Sequence, residues 1–246
     1  MNRKQNRKKV VMNTFSLLIV IMAMVLLYKG ILQCNYLSAK KYPVRGIDVS
    51  AYQGNINWDT LAMQNIQFAY IKATEGSGFV DKRFQKNYTD ARKQNIRVGA
   101  YHFFSFDSPG ETQAINYEES VPCEERMLPP VVDVEFYGAK EKNPPQKESL
   151  QKELDCLLKH LEQHYGKKPV IYTTNKMYKI YIKDKYKDYD IWIRSVYCNP
   201  RYLGQKNWTF WQYSNRGRLA GYDGEEEFID LNVFCGSVEE FEIYGN

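Results

Sequence analysis

The sequence of 246 residues predicts an α/β fold whose parallel sheet closes into a barrel. Three observations carry this reading. Strand-like runs rich in Val, Ile and aromatic residues alternate with helix-like ones, the order that gives a parallel sheet with helices outside. Eight strand-like runs occur, enough to close the sheet, and the last third of the chain is short of helices. Acids stand where strands end, and barrels of this kind place their chemistry at the carboxyl ends of strands.

Taken in order, residues 1–9 form a basic tail (Arg3, Lys4, Arg7, Lys8, Lys9). The run VVMNTFSLLIVIMAMVLLY, residues 10–28, is apolar apart from Asn13, Thr14 and Ser16. Its length is close to the roughly 20 residues that a bilayer-crossing helix needs. Basic residues before the span keep the tail inside and export the rest. The expected location is therefore the cell membrane, as a single-pass signal anchor with the rest of the chain extracellular. Secretion after cleavage is the alternative, but the nearest small-residue stretch, LSA at 37–39, is a poor cleavage site. Residues 29–43 read as a linker and 44–246 as the barrel domain.

Within that domain the strand candidates are 45–50, 68–74, 97–104, 129–135 and 169–174, then 190–197, 209–214 and 228–234. Helices are expected near 58–66, 81–95, 109–121 and 147–165, the last marked by Leu150, Leu154, Leu157, Leu158 and Leu161 at helical spacing.

The charge balance, 34 Lys and Arg against 29 Asp and Glu, leaves no basic footprint for nucleic acid once the tail is set aside. Twenty tyrosines and four tryptophans suit the flat faces of sugars as well as a core. Export makes disulfides possible: the four exported cysteines allow three pairings, among which sequence does not choose; Cys123–Cys156 and Cys198–Cys235 are the pairs offered, with free buried thiols as the alternative. The sequons at Asn87 and Asn207 matter only in a host that glycosylates.

The stretch LPPVVDVEFYG, residues 128–138, carries the sharpest signal. A carboxylate inside a buried strand is costly unless it is paired or neutralised. Side chains alternate along a strand, so Val132 and Val134 face the helices while Asp133 and Glu135 face the barrel mouth. The same alternation turns Asp48 inward, with Ile47 and Val49 outward. It also sets Asp230 and Asn232 opposite Ile229, Leu231 and Val233. Four acids from three strands thus converge. Clustered carboxylates raise one another's pKa, and one protonated beside one ionised acid is the arrangement that glycosidic cleavage uses. A metal is the rival use. His160 and His164 are four apart on a helix, but Leu161 stands where the zinc-protease motif needs Glu, so neither a metal nor a cofactor is expected.

Together RGIDVSAYQGNINWDTL, FAYIKATEGSGFVDKRFQKNYTDAR, VGAYHFFSF, LPPVVDVE and FWQYS…FIDLNVF resemble the lysozymes of glycoside hydrolase family 25, which are N-acetylmuramidases. The resemblance runs in order over about residues 44–236. It implies a TIM-like barrel of the (β/α)5(β)3 type and cleavage of the β-1,4 bond between N-acetylmuramic acid and N-acetylglucosamine in peptidoglycan. By position Glu135 is similar to the general acid, Asp133 to the group that orients the substrate acetamido, and Asp48 and Asp230 to the remaining active-site acids. Arg194, in WIRSVY, stands where many members have a small residue. Tyr52, Tyr101, Tyr137, Tyr172, Trp192, Trp211 and Tyr213 are the aromatic candidates for sugar stacking, with core packing as the alternative for each. Lys72 and Glu75 read as a structural ion pair. The competing functions are a non-catalytic glycan-binding or scaffold domain and an endo-glycosidase for chitin-like polymers.

Overall fold

The structure, a computed structural model, describes residues 2–29, 31–32 and 34–246. Met1, Gly30 and Gln33 of the expected tail and linker lie outside the described residues. Helix α1 (Asn2–Tyr28) takes in the basic tail as well as the apolar run. A one-turn helix, α2 (Tyr36–Ala39), precedes the barrel.

The barrel begins with β1 (Arg45–Val49), α3 (Trp58–Ala62), β2 (Phe68–Glu75), β3 (Phe79–Val80) and α4 (Phe84–Arg92). It continues with β4 (Arg97–Phe103), α5 (Gly110–Ser120), β5 (Val131–Val134), α6 (Lys147–Tyr165) and β6 (Val170–Thr174). Then come α7 (Asn175–Met177), which runs on as a π-turn through Tyr178–Ile182, β7 (Ile191–Arg194), β8 (Phe210–Gly217), β9 (Ile229–Phe234) and α8 (Val238–Ile243). Eight strands close in the order β1-β9-β8-β7-β6-β5-β4-β2, with β2 returning to β1; the two-residue β3 hangs on β2 as a hairpin. Each of β1, β2, β4, β5 and β6 leads into a helix before the next barrel strand, whereas no α-helix separates β7 from β8 or β8 from β9, and α8 follows β9.

One expectation is corrected. The sheet is not wholly parallel, because β9 runs antiparallel to both β8 and β1. No helix lies between β8 and β9, so the chain cannot cross back to the bottom of the barrel. It turns at the top and descends.

Alternation divides the core in two. Ile47, Val49, Val132, Val134, Ile229 and Val233 face outward into a core shared with the helices, including all five leucines of the α6 stripe. Val44, Phe68, Tyr70, Val131, Val170, Trp192, Phe210 and Phe234 fill the barrel, and Phe241 of α8 plugs its floor. Gly46 and Gly99 face this filling because a Cβ there would come within 2.4 Å of the Phe68 ring and 2.3 Å of the Tyr70 ring. The lower barrel is thus solid, and the cleft at its mouth lies above this filling.

The linker is not a free tether. Asn35 is 2% exposed, and its amide donates to the carbonyls of Ser195 (2.8 Å) and Tyr213 (3.0 Å). Tyr42 packs edge-on to Trp208, with ring centroids 5.1 Å apart. Arg218 donates to the Lys29 carbonyl at 3.0 Å, and Arg216 reaches the Tyr28 carbonyl at the end of α1. The barrel's packing therefore begins about nine residues before the expected boundary at 44.

All five cysteines are free, so the two expected disulfides are absent. Antiparallel β9 explains one. Cys198 follows β7 at the top of the barrel and lines the cleft, whereas Cys235 follows β9 at the bottom, bonded to Thr209 just before β8. For the other, Cys156 packs against Gly110 at the start of α5, while Cys123 lies beyond that helix's far end. Eleven residues of helix separate them, about 16 Å, against the roughly 7 Å limit for a disulfide. Of the two sequons, Asn87 is buried and Asn207 exposed.

Candidate active site

The four acids meet at the carboxyl-end mouth of the barrel, in a cleft of about 810 Å³. Asp48 is the penultimate residue of β1, Asp133 lies within β5, and Glu135 is the first inward position past that strand's end. Asp230 stands at the start of β9, not the end, yet reaches the same mouth because β9 descends from it. Asp48 and Asp230 are direct cross-strand partners.

A polar relay underneath holds Asp48. Trp192 Nε1 donates to Asn232 Oδ1 (2.9 Å), and Asn232 Nδ2 donates to Asp48 Oδ2 (2.7 Å). From the other side the Tyr172 hydroxyl donates to Gln212 Oε1 (3.0 Å), and Gln212 Nε2 donates to both Asp48 oxygens (3.3 and 3.0 Å). A carboxylate with this many donors favours its charged form. Burial nonetheless raises Asp48 overall, against the pull of Asn232, Gln212 and Asp230. Burial, then the charge of Asp48, pushes Asp230 well above the usual carboxylate range.

Asp133 is 7% exposed and its Oδ1 has no hydrogen-bond partner among the described residues. Burial first and Glu135 second hold it well above the usual carboxylate range. Glu135 is also raised, by burial, while Arg194 and Lys72 pull it down and Asp48 pushes it up. No hydrogen bond at Oδ1 of Asp133 offsets its burial.

Of the aromatic candidates, Tyr52, Tyr101 and Tyr172 line the cleft. Tyr52 is 60% exposed at the rim, on a turn that Ser50 and Gln53 cap reciprocally. The other four lie elsewhere. Trp192 faces inward but one layer too deep, in the barrel filling. Trp211 and Tyr213 face outward into the helix-side core because Gln212 between them takes the inward position. Tyr137 stacks on Phe106 at 5.0 Å, and its hydroxyl accepts from the Phe106 N–H at 2.8 Å. Phe103, Phe136 and Tyr197 supply aromatic lining that was not anticipated. The inward alternation of β4 signals the first of these; Phe136 and Tyr197 sit on loops, where no periodicity speaks. Lys72 and Glu75 pair at 2.7 Å as expected. His164 lies 3.7 Å from Glu118 on the outer flank, away from the cleft.

An eight-stranded α/β barrel with paired acids at its mouth and aromatic walls is the architecture of a glycoside hydrolase. The comparisons sharpen this. The model of the glycosyl hydrolases family 25 matches residues 47–222, and the chain belongs to that family. A family 25 glycosyl hydrolase from Bacillus anthracis is 57% identical, covering 84% of this chain and 95% of its own, with a TM-score of 0.80. A bacterial lysozyme from Streptomyces coelicolor is 32% identical over 82% of this chain and 97% of its own, with a TM-score of 0.73. Lysozyme M1 of Streptomyces globisporus is 32% identical over 79% of this chain and 68% of its own length. The protein is a glycoside hydrolase of the lysozyme type.

Proposed function

We propose that the protein cleaves the β-1,4 bond between N-acetylmuramic acid and N-acetylglucosamine in peptidoglycan, with Glu135 as general acid and the substrate's own acetamido group as nucleophile. The observation that carries this is the bare, buried Oδ1 of Asp133. An acetamido N–H at that oxygen supplies the missing donor, favours ionised Asp133 and leaves the cluster's proton on Glu135. The amide oxygen then bonds to the anomeric carbon as Glu135 gives its proton to the departing glycosidic oxygen. Next, Glu135 takes a proton from a water that opens the cyclic intermediate, and the sugar leaves with net retention. This is one of the substrate-assisted exceptions to the two-carboxylate rule. Asp48, held by Asn232 and Gln212, keeps negative charge near the developing positive centre, and Asp230 shares its proton. The relatives that bear the name lysozyme support the substrate class.

Glu135→Gln tests the reading: turnover of purified peptidoglycan falls by at least about a hundredfold, the low end for losing a general acid, while the fold is kept. Near-normal turnover, or a first product inverted at the anomeric carbon, defeats it.

Residues 5–28 of α1 are long and apolar enough to cross a membrane. We read them as a single-pass signal anchor that holds the catalytic domain outside. The full chain should then stay with membranes through alkaline washing. A soluble mature form beginning near residues 35–40 would refute the anchor.

A further inference from the structure

Three cations line the cleft: Lys72, Lys176 and Arg194. Lys72 is committed to Glu75 at 2.7 Å and Lys176 to Glu141 at 3.0 Å. Among the described residues the Arg194 side chain makes neither an ion pair nor a hydrogen bond, although it is only partly exposed. It closes β7 on the inward face, two residues above Trp192, in register with Thr174 and Gln212. Its charge is felt by all four acids, each of which it pulls down against burial.

An uncommitted guanidinium in a half-buried mouth is a receptor without its ligand. Its fixed fork of donors matches a carboxylate bidentately, which an ammonium does not. A mouth ringed by acids repels an acidic ligand, and Arg194 is the group that can admit one. Under the function proposed above, on which this inference rests, the substrate offers one such group. A muramyl unit differs from N-acetylglucosamine by a lactyl ether on O3, the position next to the carbon bearing the acetamido. That lactyl carboxyl is either a free carboxylate or the amide bond that holds the stem peptide. Asp133 marks the acetamido, and only β6 separates β5 from β7. Adjacent strands are about 4.8 Å apart and Asp133 is level with Trp192, two residues below Arg194, so the Arg194 backbone starts roughly 12 Å from that of Asp133. The arginine side chain and the lactyl arm together span this.

We propose that Arg194 receives the free 3-O-lactyl carboxylate of a muramyl unit. The protein therefore selects glycan strands from which the stem peptide has been removed over peptide-bearing ones. Its place in wall turnover is then after an amidase-class reaction, which supplies that carboxylate.

The test reads binding, so it does not depend on turnover. The full chain carrying Glu135→Gln, in detergent, is titrated with peptide-stripped glycan strands and with the same strands after conversion of their carboxylates to methylamides. The carboxylate form should bind at least about tenfold more tightly, the low end for a charge-assisted hydrogen bond. Adding Arg194→Gln should bring the ratio to about one, and Arg194→Lys should keep part of it. A general effect of Arg194 on the acids would weaken both ligands alike and leave the ratio standing. Equal affinities in the Glu135→Gln protein, no binding of the carboxylate form, or a ratio unchanged by Arg194→Gln each overturns the proposal. Failure of the wild-type chain to turn over peptidoglycan would instead sink the muramidase reading.

Discussion

Asp230→Asn should make the protein more stable at pH 8 while costing activity. Asp230 and Asp48 are direct cross-strand neighbours, with backbones about 5 Å apart. Two full charges at that distance repel by roughly 3 kcal/mol at an effective dielectric of 20. The side open to the cleft screens part of this, leaving about 1–2 kcal/mol. The sign follows from the direction of the shift. Burial and Asp48 raise Asp230 in the folded protein above its unfolded value. Between those two values the native state keeps a proton that the unfolded chain has lost. The protonated group's contribution is thus complete below about pH 3.9 and is lost as pH rises through the folded pKa. Asparagine cannot lose that proton and still donates to Asp48. Urea melts of the two proteins should coincide near pH 4 and separate at pH 8 in favour of the variant. A thermal midpoint raised by several degrees would accompany this, at roughly 2–4 °C per kcal/mol for a chain this size. A variant no more stable than wild type at pH 8 would refute the reasoning.

Two other outcomes follow from the same cleft and its surroundings. Asn232→Leu removes a donor from Asp48 and the acceptor of Trp192 at a position with no exposure; urea melts should show a loss of about 2–5 kcal/mol, with reduced turnover. His102 is buried between Thr74 (2.7 Å) and Gln113 (3.0 Å), and burial lowers its pKa to about 4. Unfolded histidine protonates near 6.5, so its contribution is present above that value and lost as pH falls toward 4, by about 3 kcal/mol in all. His102→Gln lacks this dependence, and the gap in stability between it and wild type should narrow between pH 6.5 and 4; a constant gap would place the acid sensitivity elsewhere.

Much of this architecture was legible because period-two alternation is a local property. Val132 and Val134 had to oppose Asp133 and Glu135, and they do. The same rule, applied to TFWQYS, turns Gln212 inward and excludes Trp211 and Tyr213; choosing them for their ring chemistry set the rule aside. Depth is what alternation cannot give. Trp192 and Arg194 share a face, yet one fills the barrel and the other lines its mouth. Strand direction was equally hidden. Nothing within FIDLNVF says that it descends, and both the position of Asp230 and the distance from Cys198 to Cys235 depend on that. The unpartnered Oδ1 of Asp133 is a tertiary fact, visible only once every neighbour is placed.

The docking of Asn35 bears on how such an enzyme would search for its substrate. Only seven residue steps separate the end of α1 at Tyr28 from the buried Asn35, at most about 25 Å of extended chain. Were α1 to sit in a bilayer, as proposed above, the catalytic cleft would be confined to a layer over the lipid and would patrol it by lateral diffusion, in two dimensions instead of three. Glycan in that layer meets a high local concentration of enzyme, while strands farther out lie beyond its radius of action. Lengthening the chain between Tyr28 and Asn35 would extend that radius without touching a catalytic group.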